Sequence, residues 1–192
     1  MLARTDLLSL EQYAEHRESF RQQVLEHKKN RKLPFGDHIL LVFEDRMTIQ
    51  YQIQEMLRVE RVFEPAAIQE ELDAYNPLIP DGDNFKGTLF IQYPDENERR
   101  IRLQELRGVE DQVWLQVGDH DRCMPIADED IERENDDKTS SVHFLRYQMS
   151  GEEISALKQG AGLTAGVSHA AYPVDGVTVP TAILGALVAD LH

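Results

Sequence analysis

The sequence predicts an α+β fold in which helices come first and strands follow. Apolar residues recur at helical spacing through the first part of the chain, and short alternating segments bounded by Gly, Pro and Asn dominate the rest. We therefore expect an N-terminal helical hairpin and a third helix packed on a mostly antiparallel sheet of about six strands, with a C-terminal helix. The length of 192 residues suits a single domain with a helical part, about 1–79, and a strand-rich part, about 80–192.

Three helices are predicted in the first part. The first covers about 9–29, with Ser9 as its N-cap and Gln12 at the capping-box position. The second covers about 37–61, because apolar residues recur there at helical spacing. The third covers about 65–76 and opens with a proline, which suits a first helical position.

Strand character dominates the second part and is expected in six segments: 88–93, 100–106, 112–117, 122–126, 141–149 and 163–172. Between the last two, Ser150 is expected to cap a short helix, with Glu153 at the capping-box position. A final helix is expected to open at Pro180. Residues 128–137 carry seven acids and one arginine, which predicts an exposed, mobile loop.

Composition argues against several classes of protein. The net charge of -15 opposes binding to phosphate backbones, so no nucleic-acid partner is expected. A single cysteine, Cys123, excludes an internal disulfide and suits a reducing compartment. No apolar run is long enough to span a bilayer, and the first residues lack the apolar region of a signal peptide. We therefore expect a cytoplasmic protein without a membrane partner.

Arginines interrupt the apolar faces of the first two predicted helices. Arg17 and Arg21 fall within the first face, and Arg46 and Gln50 fall within the second, so the four could share one interface. A guanidinium on such a face needs a partner, because burying an unpaired charge is costly. Internal pairing, with Glu55 as an available carboxylate, is the commoner arrangement. The alternatives are a site for an anionic ligand or a partner's carboxylate, and a homodimer contact, since arginine is enriched in interface cores.

The histidines are the next candidates for chemistry. His143 and His169 each share a strand face with apolar residues, and the two could meet near a core, with His120 or Cys123 nearby. A metal site would need such groups to converge, but none has diagnostic ligand spacing, so no metal or cofactor is predicted. The sequence also contains no nucleophile elbow, phosphate-binding loop or dinucleotide fingerprint. Catalytic residues therefore stay unassigned, and the interpretation favours a protein that is not an enzyme.

Three parts of the chain resemble the signature of an uncharacterised bacterial family, domain of unknown function 3501. They are 43–48 (FEDRMT) continuing into 52–61 (QIQEMLRVER), 74–80 (AYNPLIP) and 141–147 (SVHFLRY). The resemblance covers nearly the whole chain and implies a cytoplasmic bacterial protein of one domain, without assigning a catalytic residue. It also implies association with rubrerythrin-like proteins or iron–sulfur oxidoreductases, and so a role in redox or oxidative-stress metabolism. One departure weakens His169 as a candidate, because alanine follows it where such families often have proline.

The leading hypothesis is a non-enzymatic accessory or binding protein that works with a redox partner. In it, the arginines contact internal carboxylates or the partner, and the acidic segment 128–137 attracts a basic partner in a salt-sensitive manner. The alternative is an enzyme or metal-binding protein of unknown reaction, with a site near His143 and His169.

Overall fold

The computed structural model describes residues 1–130, 133 and 137–192. Within these residues the chain has six α-helices and eight strands, and neighbouring strands are antiparallel throughout both sheets, so the expected α+β class is confirmed. The chain forms two compact units, the first from residues 1–30 and 44–80 and the second from residues 31–43 and 81–192.

The first unit contains three helices: α1 (Leu10–His27), α2 (Arg46–Glu60) and α3 (Pro65–Tyr75). The predicted capping box of α1 is present: the Ser9 hydroxyl accepts from the Gln12 backbone N–H, and the Gln12 side chain accepts from the Ser9 N–H. The third helix opens with proline, as expected. Aliphatic side chains form the core of this unit: Leu2, Ile49, Ile53, Leu57, Leu72 and Ile79.

The second predicted helix begins too early, and its first part is a strand. The apolar run Ile39–Phe43 forms a strand in which nearly every residue is buried. A short apolar run fits a buried strand as well as a helix, so periodicity alone could not separate the two. Helix α2 starts only at Arg46, where the Asp45 carboxylate caps it by accepting from the Thr48 N–H at 2.9 Å.

The second unit contains two antiparallel sheets rather than one. The five-stranded sheet has the order β1-β2-β3-β6-β5. Its strands are β1 (Lys32–Phe35), β2 (Ile39–Phe43), β3 (Asn84–Ile91), β5 (Ile126–Ala127) and β6 (Val142–Gln148). The three-stranded sheet has the order β4-β7-β8, with β4 (Val113–Val117), β7 (Leu163–Val167) and β8 (Val174–Thr178). Strand β8 was not predicted, and β7 ends five residues before the expected boundary at 172.

Two further strand predictions are wrong. The segment predicted at 100–106 lies mostly in helix α4 (Glu96–Glu105), because the Asp95 carboxylate caps a helix by accepting from the Glu98 N–H at 2.8 Å. The segment predicted at 122–126 contains only one isolated bridge and the first residue of β5.

The remaining helices of the second unit agree with expectation. Helix α5 (Gly151–Lys158) starts at Ser150, whose hydroxyl accepts from the Glu153 N–H while the Glu153 carboxylate accepts from the Ser150 N–H. The C-terminal helix α6 (Thr181–Ala189) has Pro180 as its N-cap. Within the described part of the chain, no helix combines the length and apolar character needed to cross a bilayer.

A single apolar core lies within the second unit, and side chains of both sheets contribute to it. The centre of the larger sheet is β3, which pairs with β2 on one side and β6 on the other. Tyr147 on β6 is completely buried, and its hydroxyl donates to the backbone carbonyl of Val113 at the start of β4, at 2.9 Å. This strand also carries His143, four residues before Tyr147, into the protein interior.

Candidate functional site

The structure pairs Arg17 with Glu55 inside the first unit. The guanidinium makes two bonds to the carboxylate, Nε to Oε1 at 2.7 Å and Nη2 to Oε2 at 2.9 Å, and the buried Tyr13 hydroxyl donates to Oε1 at 2.7 Å. Hydrogen bonding from Arg17 lowers the pKa of Glu55, although burial acts in the opposite direction. Burial and the bond to Glu55 raise the pKa of Tyr13. Arg17 and Glu55 therefore act here as a structural ion pair.

The other residues predicted on these apolar helix faces, Arg46, Gln50 and Arg21, do not pair with Glu55 in the contacts that the structure shows. Because α2 begins at Arg46, this side chain is exposed at the helix start and does not belong to a core face. It donates to the Met1 carbonyl at 2.6 Å and pairs with Asp6 at 2.8 Å, while the Gln50 amide donates to the Asp6 carbonyl at 2.6 Å. Arg21 is exposed on α1. Arg46 and Gln50 thus hold the N-terminal segment, whereas Arg17 pairs with Glu55.

The second unit brings a histidine between two carboxylates. His143 is 0% exposed, and its Nδ1 lies 2.5 Å from Asp128 Oδ2 and 3.8 Å from Glu110 Oε1. Its Nε2 lies 2.9 Å from the Thr139 hydroxyl and 3.1 Å from the Ser140 carbonyl oxygen. One ligand atom from each of Glu110, Asp128 and His143 can be chosen so that all three lie within 4.8 Å of one another.

Different parts of the fold position these side chains. His143 is the second residue of β6, Glu110 lies in the short turn before β4, and Asp128 directly follows β5. Asp128 has a left-handed backbone, with φ of 48°. Its N–H donates to the Phe144 carbonyl at 2.8 Å, and its Oδ1 accepts from the Phe144 N–H at 2.9 Å. This reciprocal pair fixes the Asp128 carboxylate beside the His143 ring.

The hydrogen-bond partners indicate where the protons of the cluster lie. The Ser140 carbonyl can only accept, so it is satisfied by a hydrogen on Nε2 of His143. The Thr139 hydroxyl, 2.9 Å from the same nitrogen, can then accept from it and donate to Glu110. Nδ1 faces the Asp128 carboxylate, which favours a proton there as well. Burial is the largest influence on the pKa of His143 and lowers it, but the bond to Asp128 and the charges of Glu110 and Asp128 together outweigh burial. The net result is a raised pKa for His143.

Ion pairs hold three of the acids in the segment 128–137, Asp128, Glu129 and Asp130. Arg133 contacts Asp128 at 3.2 Å and makes two bonds to Asp130, at 2.5 and 2.7 Å. Glu129 makes two bonds to Arg146, both at 2.8 Å. Asp128 is therefore part of the buried cluster and not of a solvated loop. The mobile loop predicted here also includes residues 131, 132 and 134–136, which lie outside the described residues.

The other candidate histidines and the cysteine do not join this group of ligand atoms. His169 follows β7 in the smaller sheet, where its Nε2 donates to the Arg107 carbonyl at 2.9 Å. His120 lies in the turn after β4. Cys123 has its Sγ 3.4 Å from the Gln148 carbonyl, and burial, with a smaller effect of the Glu153 charge, raises the thiol pKa to about 11.

Sequence reasoning identified His143 and missed both carboxylates that surround it. In the sequence, Glu110 has the pattern of an ordinary acid of a turn, and Asp128 begins a run of acids. No local spacing links them to His143, because β4, β5 and β6 bring them together only in the folded unit. The one available signal was an acid, Asp128, next to the short apolar pair Ile126–Ala127.

The fold and this cluster define an α+β protein with a buried carboxylate–imidazole site. The chain belongs to the family of proteins of unknown function DUF3501, whose model matches residues 1–191, so the resemblance seen in the sequence is confirmed. It is similar to a novel protein of unknown function from Burkholderia pseudomallei, known from a crystal structure. The match covers 100% of this chain and 99% of that protein, with 46% sequence identity and a TM-score of 0.96. Among curated proteins none matches the chain.

Proposed function

We propose that this protein is an accessory binding protein of bacterial redox or oxidative-stress metabolism, and that it docks its partner on the first unit. The observation that carries the proposal is an apolar groove of about 550 Å³ in that unit. Its apolar lining comes from the N-terminal segment, the end of α2 and the start of α3: Leu7, Leu8, Leu57, Val62, Phe63 and Ile68. Exposed apolar surface of this kind is typical of protein–protein contacts.

Polar side chains of α2 hold the N-terminal segment that lines this groove. The Gln54 amide is buried and makes two bonds to the Leu8 backbone, accepting from its N–H at 2.6 Å and donating to its carbonyl at 3.3 Å. Together with Arg46 and Gln50, it fixes the N-terminal segment along α2. The groove is therefore formed before a partner binds, which reduces the entropy cost of association.

Charges of both signs lie near the groove. Arg4 is one of its lining residues. The sequence between the groove residues Leu57 and Val62 holds two arginines and Glu60, and Glu71 lies one turn beyond Ile68 on α3. Burial, followed by the charges of Glu60 and Glu70, raises the pKa of Glu71, so these carboxylates reinforce one another's negative potential.

The occupant that fits is an amphipathic partner segment whose apolar residues enter the groove and whose neighbouring charged residues pair with the charges around it. The redox identity of that partner, a rubrerythrin-like protein or an iron–sulfur oxidoreductase, rests on the family resemblance. A contribution of residues 128–137 to attracting the partner is a separate proposal.

The test is a pull-down of the tagged full-length protein from its native bacterium at low salt, read by mass spectrometry. The variant Phe63→Asp places a charge on a groove residue that is 69% exposed, so the change should not disturb folding. Ile101→Asp is the matched control, because Ile101 is 50% exposed and lies on α4 in the other unit.

We expect a stoichiometric redox partner that is lost with Phe63→Asp, kept with Ile101→Asp and weakened by salt. Recovery of only a second copy of the chain would contradict the proposal and support the homodimer alternative. Equal recovery of the redox partner by both variants would also refute docking in the groove.

A further inference from the structure

We propose that Glu110, Asp128 and His143 form a binding site for one divalent first-row transition-metal ion. The site lies within the second unit, so the inference is independent of the groove in the first. Its ligand atoms would be His143 Nδ1, one Asp128 oxygen and one Glu110 oxygen, which lie within 4.8 Å of one another. Ligands at roughly 2.1 Å from a metal lie roughly 3 to 4.2 Å from each other. The separation of 3.8 Å between Nδ1 and Glu110 lies within this range and that of 2.5 Å between Nδ1 and Asp128 lies below it, so a small shift of the Asp128 side chain admits an ion.

The orientation of the histidine is the second, independent observation. Metal-binding histidines almost always donate their other ring N–H to a carbonyl, carboxylate or water. Nε2 of His143 does this to the Ser140 carbonyl at 3.1 Å, which leaves Nδ1 as the nitrogen that faces both carboxylates. The ring is 0% exposed, so surrounding packing holds this orientation.

Each carboxylate also has its own supporting partner. The Thr139 hydroxyl lies 3.2 Å from both oxygens of Glu110. The Phe144 N–H binds Oδ1 of Asp128, which turns Oδ2 toward the imidazole. A complete set of outer contacts around one histidine and two acids is what a metal site requires of its protein.

Charge at the site suits a cation. Counting these three side chains alone, the two carboxylates carry a charge of about -2, which a divalent ion would balance. Arg133 contacts Asp128 at 3.2 Å but makes its two shorter bonds to Asp130, so its charge is shared between these two carboxylates. One nitrogen and several oxygen donors, without a thiolate, suit Mn²⁺, Fe²⁺ or Zn²⁺.

The first test uses the unaltered full-length protein. Metal content is measured by mass spectrometry after purification without chelators. The EDTA-treated protein is then titrated separately with Mn²⁺ and Zn²⁺, and thermal unfolding is followed. We expect up to one ion per chain and a melting temperature that rises with at least one of these ions and falls again with EDTA. Substoichiometric metal at saturation, with unchanged melting temperatures, would overturn the proposal.

The second test assigns the residues. Asp128→Asn and Glu110→Gln keep the side-chain shape but remove the charge, and each should weaken metal binding at least about 100-fold, since even outer-contact changes cost 10–100-fold. Glu129→Gln is the matched control, because Glu129 is an exposed acid beside Asp128 that pairs with Arg146. Equal weakening by the control would indicate binding to surface acids and refute the site.

A readout without variants covers the case in which these proteins fail to fold. Imidazole NMR of the unaltered chain should show Zn²⁺ shifting Nδ1 of His143 and leaving His169 and His120 unchanged. A shift confined to His169 or His120 would contradict the proposal.

Discussion

Replacing Glu55 with glutamine should destabilise the protein by about 2 kcal/mol at neutral pH. The carboxylate accepts three hydrogen bonds, two from Arg17 at 2.7 and 2.9 Å and one from Tyr13 at 2.7 Å. Glutamine can place its oxygen at the Oε1 position, where Nε of Arg17 and the Tyr13 hydroxyl both donate, but it loses the charge and the acceptor for Nη2. One charge-assisted bond, worth roughly 1.5–3 kcal/mol, therefore disappears, and the other two weaken. The side chains of Arg17 and Glu55 are 30% and 20% exposed, so water recovers part of that loss.

The stabilisation by Glu55 should also depend on pH. Because the pKa of Glu55 is lowered in the folded protein, its stabilisation is fully present above the unfolded value of about 4.3 and is lost as pH falls through the folded pKa. The difference between the two proteins should therefore shrink in acid.

The assay is urea unfolding at neutral and acid pH, followed by circular dichroism. Glu18→Gln, which changes an exposed glutamate on α1, is the control and should lie within about 0.5 kcal/mol of the original protein. Equal stability of the Glu55→Gln variant and the original protein at neutral pH would refute the structural ion pair, as would a difference that persists unchanged in acid.

Three further predictions follow from the packing of the second unit. Cys123 should react slowly with iodoacetamide at pH 7.5 and much faster near pH 11, because burial raises its thiol pKa to about 11; rapid reaction at pH 7.5 would contradict this. Gly166→Ala should lower the free energy of unfolding by about 1–3 kcal/mol, measured by thermal unfolding, because the new methyl would meet the Trp114 ring at 2.4 Å. The control Gly185→Ala, in open space on α6, should be neutral or stabilising. Tyr147→Phe should cost about 1–2 kcal/mol by the same measurement, because it leaves a buried backbone carbonyl without its hydroxyl donor; an unchanged melting temperature would exclude that role.

The elements that the sequence predicts well are those with local capping signals. Ser9 with Gln12 and Ser150 with Glu153 each specify a helix start through contacts within a few residues. Pro65 specifies one through its fixed backbone angle. Such contacts depend little on the rest of the fold, so the sequence alone is enough to locate them.

The errors arise where tertiary contacts decide between similar patterns. The run Ile39–Phe43 is a strand because β1 and β3 pair with it on both sides, which no local pattern reveals. That shift moved the start of α2 to Arg46 and so removed the basis for placing Arg46 on a core face. The buried site has the same origin: His143 was visible from its alternation with apolar residues, but Glu110 and Asp128 reach it only through the folded sheets.

The measurement that tests the buried site most directly is anomalous X-ray diffraction at the manganese and zinc edges, from crystals of the full-length protein grown with Mn²⁺ or with Zn²⁺. With at least one of these ions we expect one peak enclosed by Glu110, Asp128 and Nδ1 of His143, with Nε2 still bonded to the Ser140 carbonyl. An ordered cluster without a peak, in which Nδ1 keeps its direct bond to Asp128, would contradict the metal site and leave these residues as a structural ion pair.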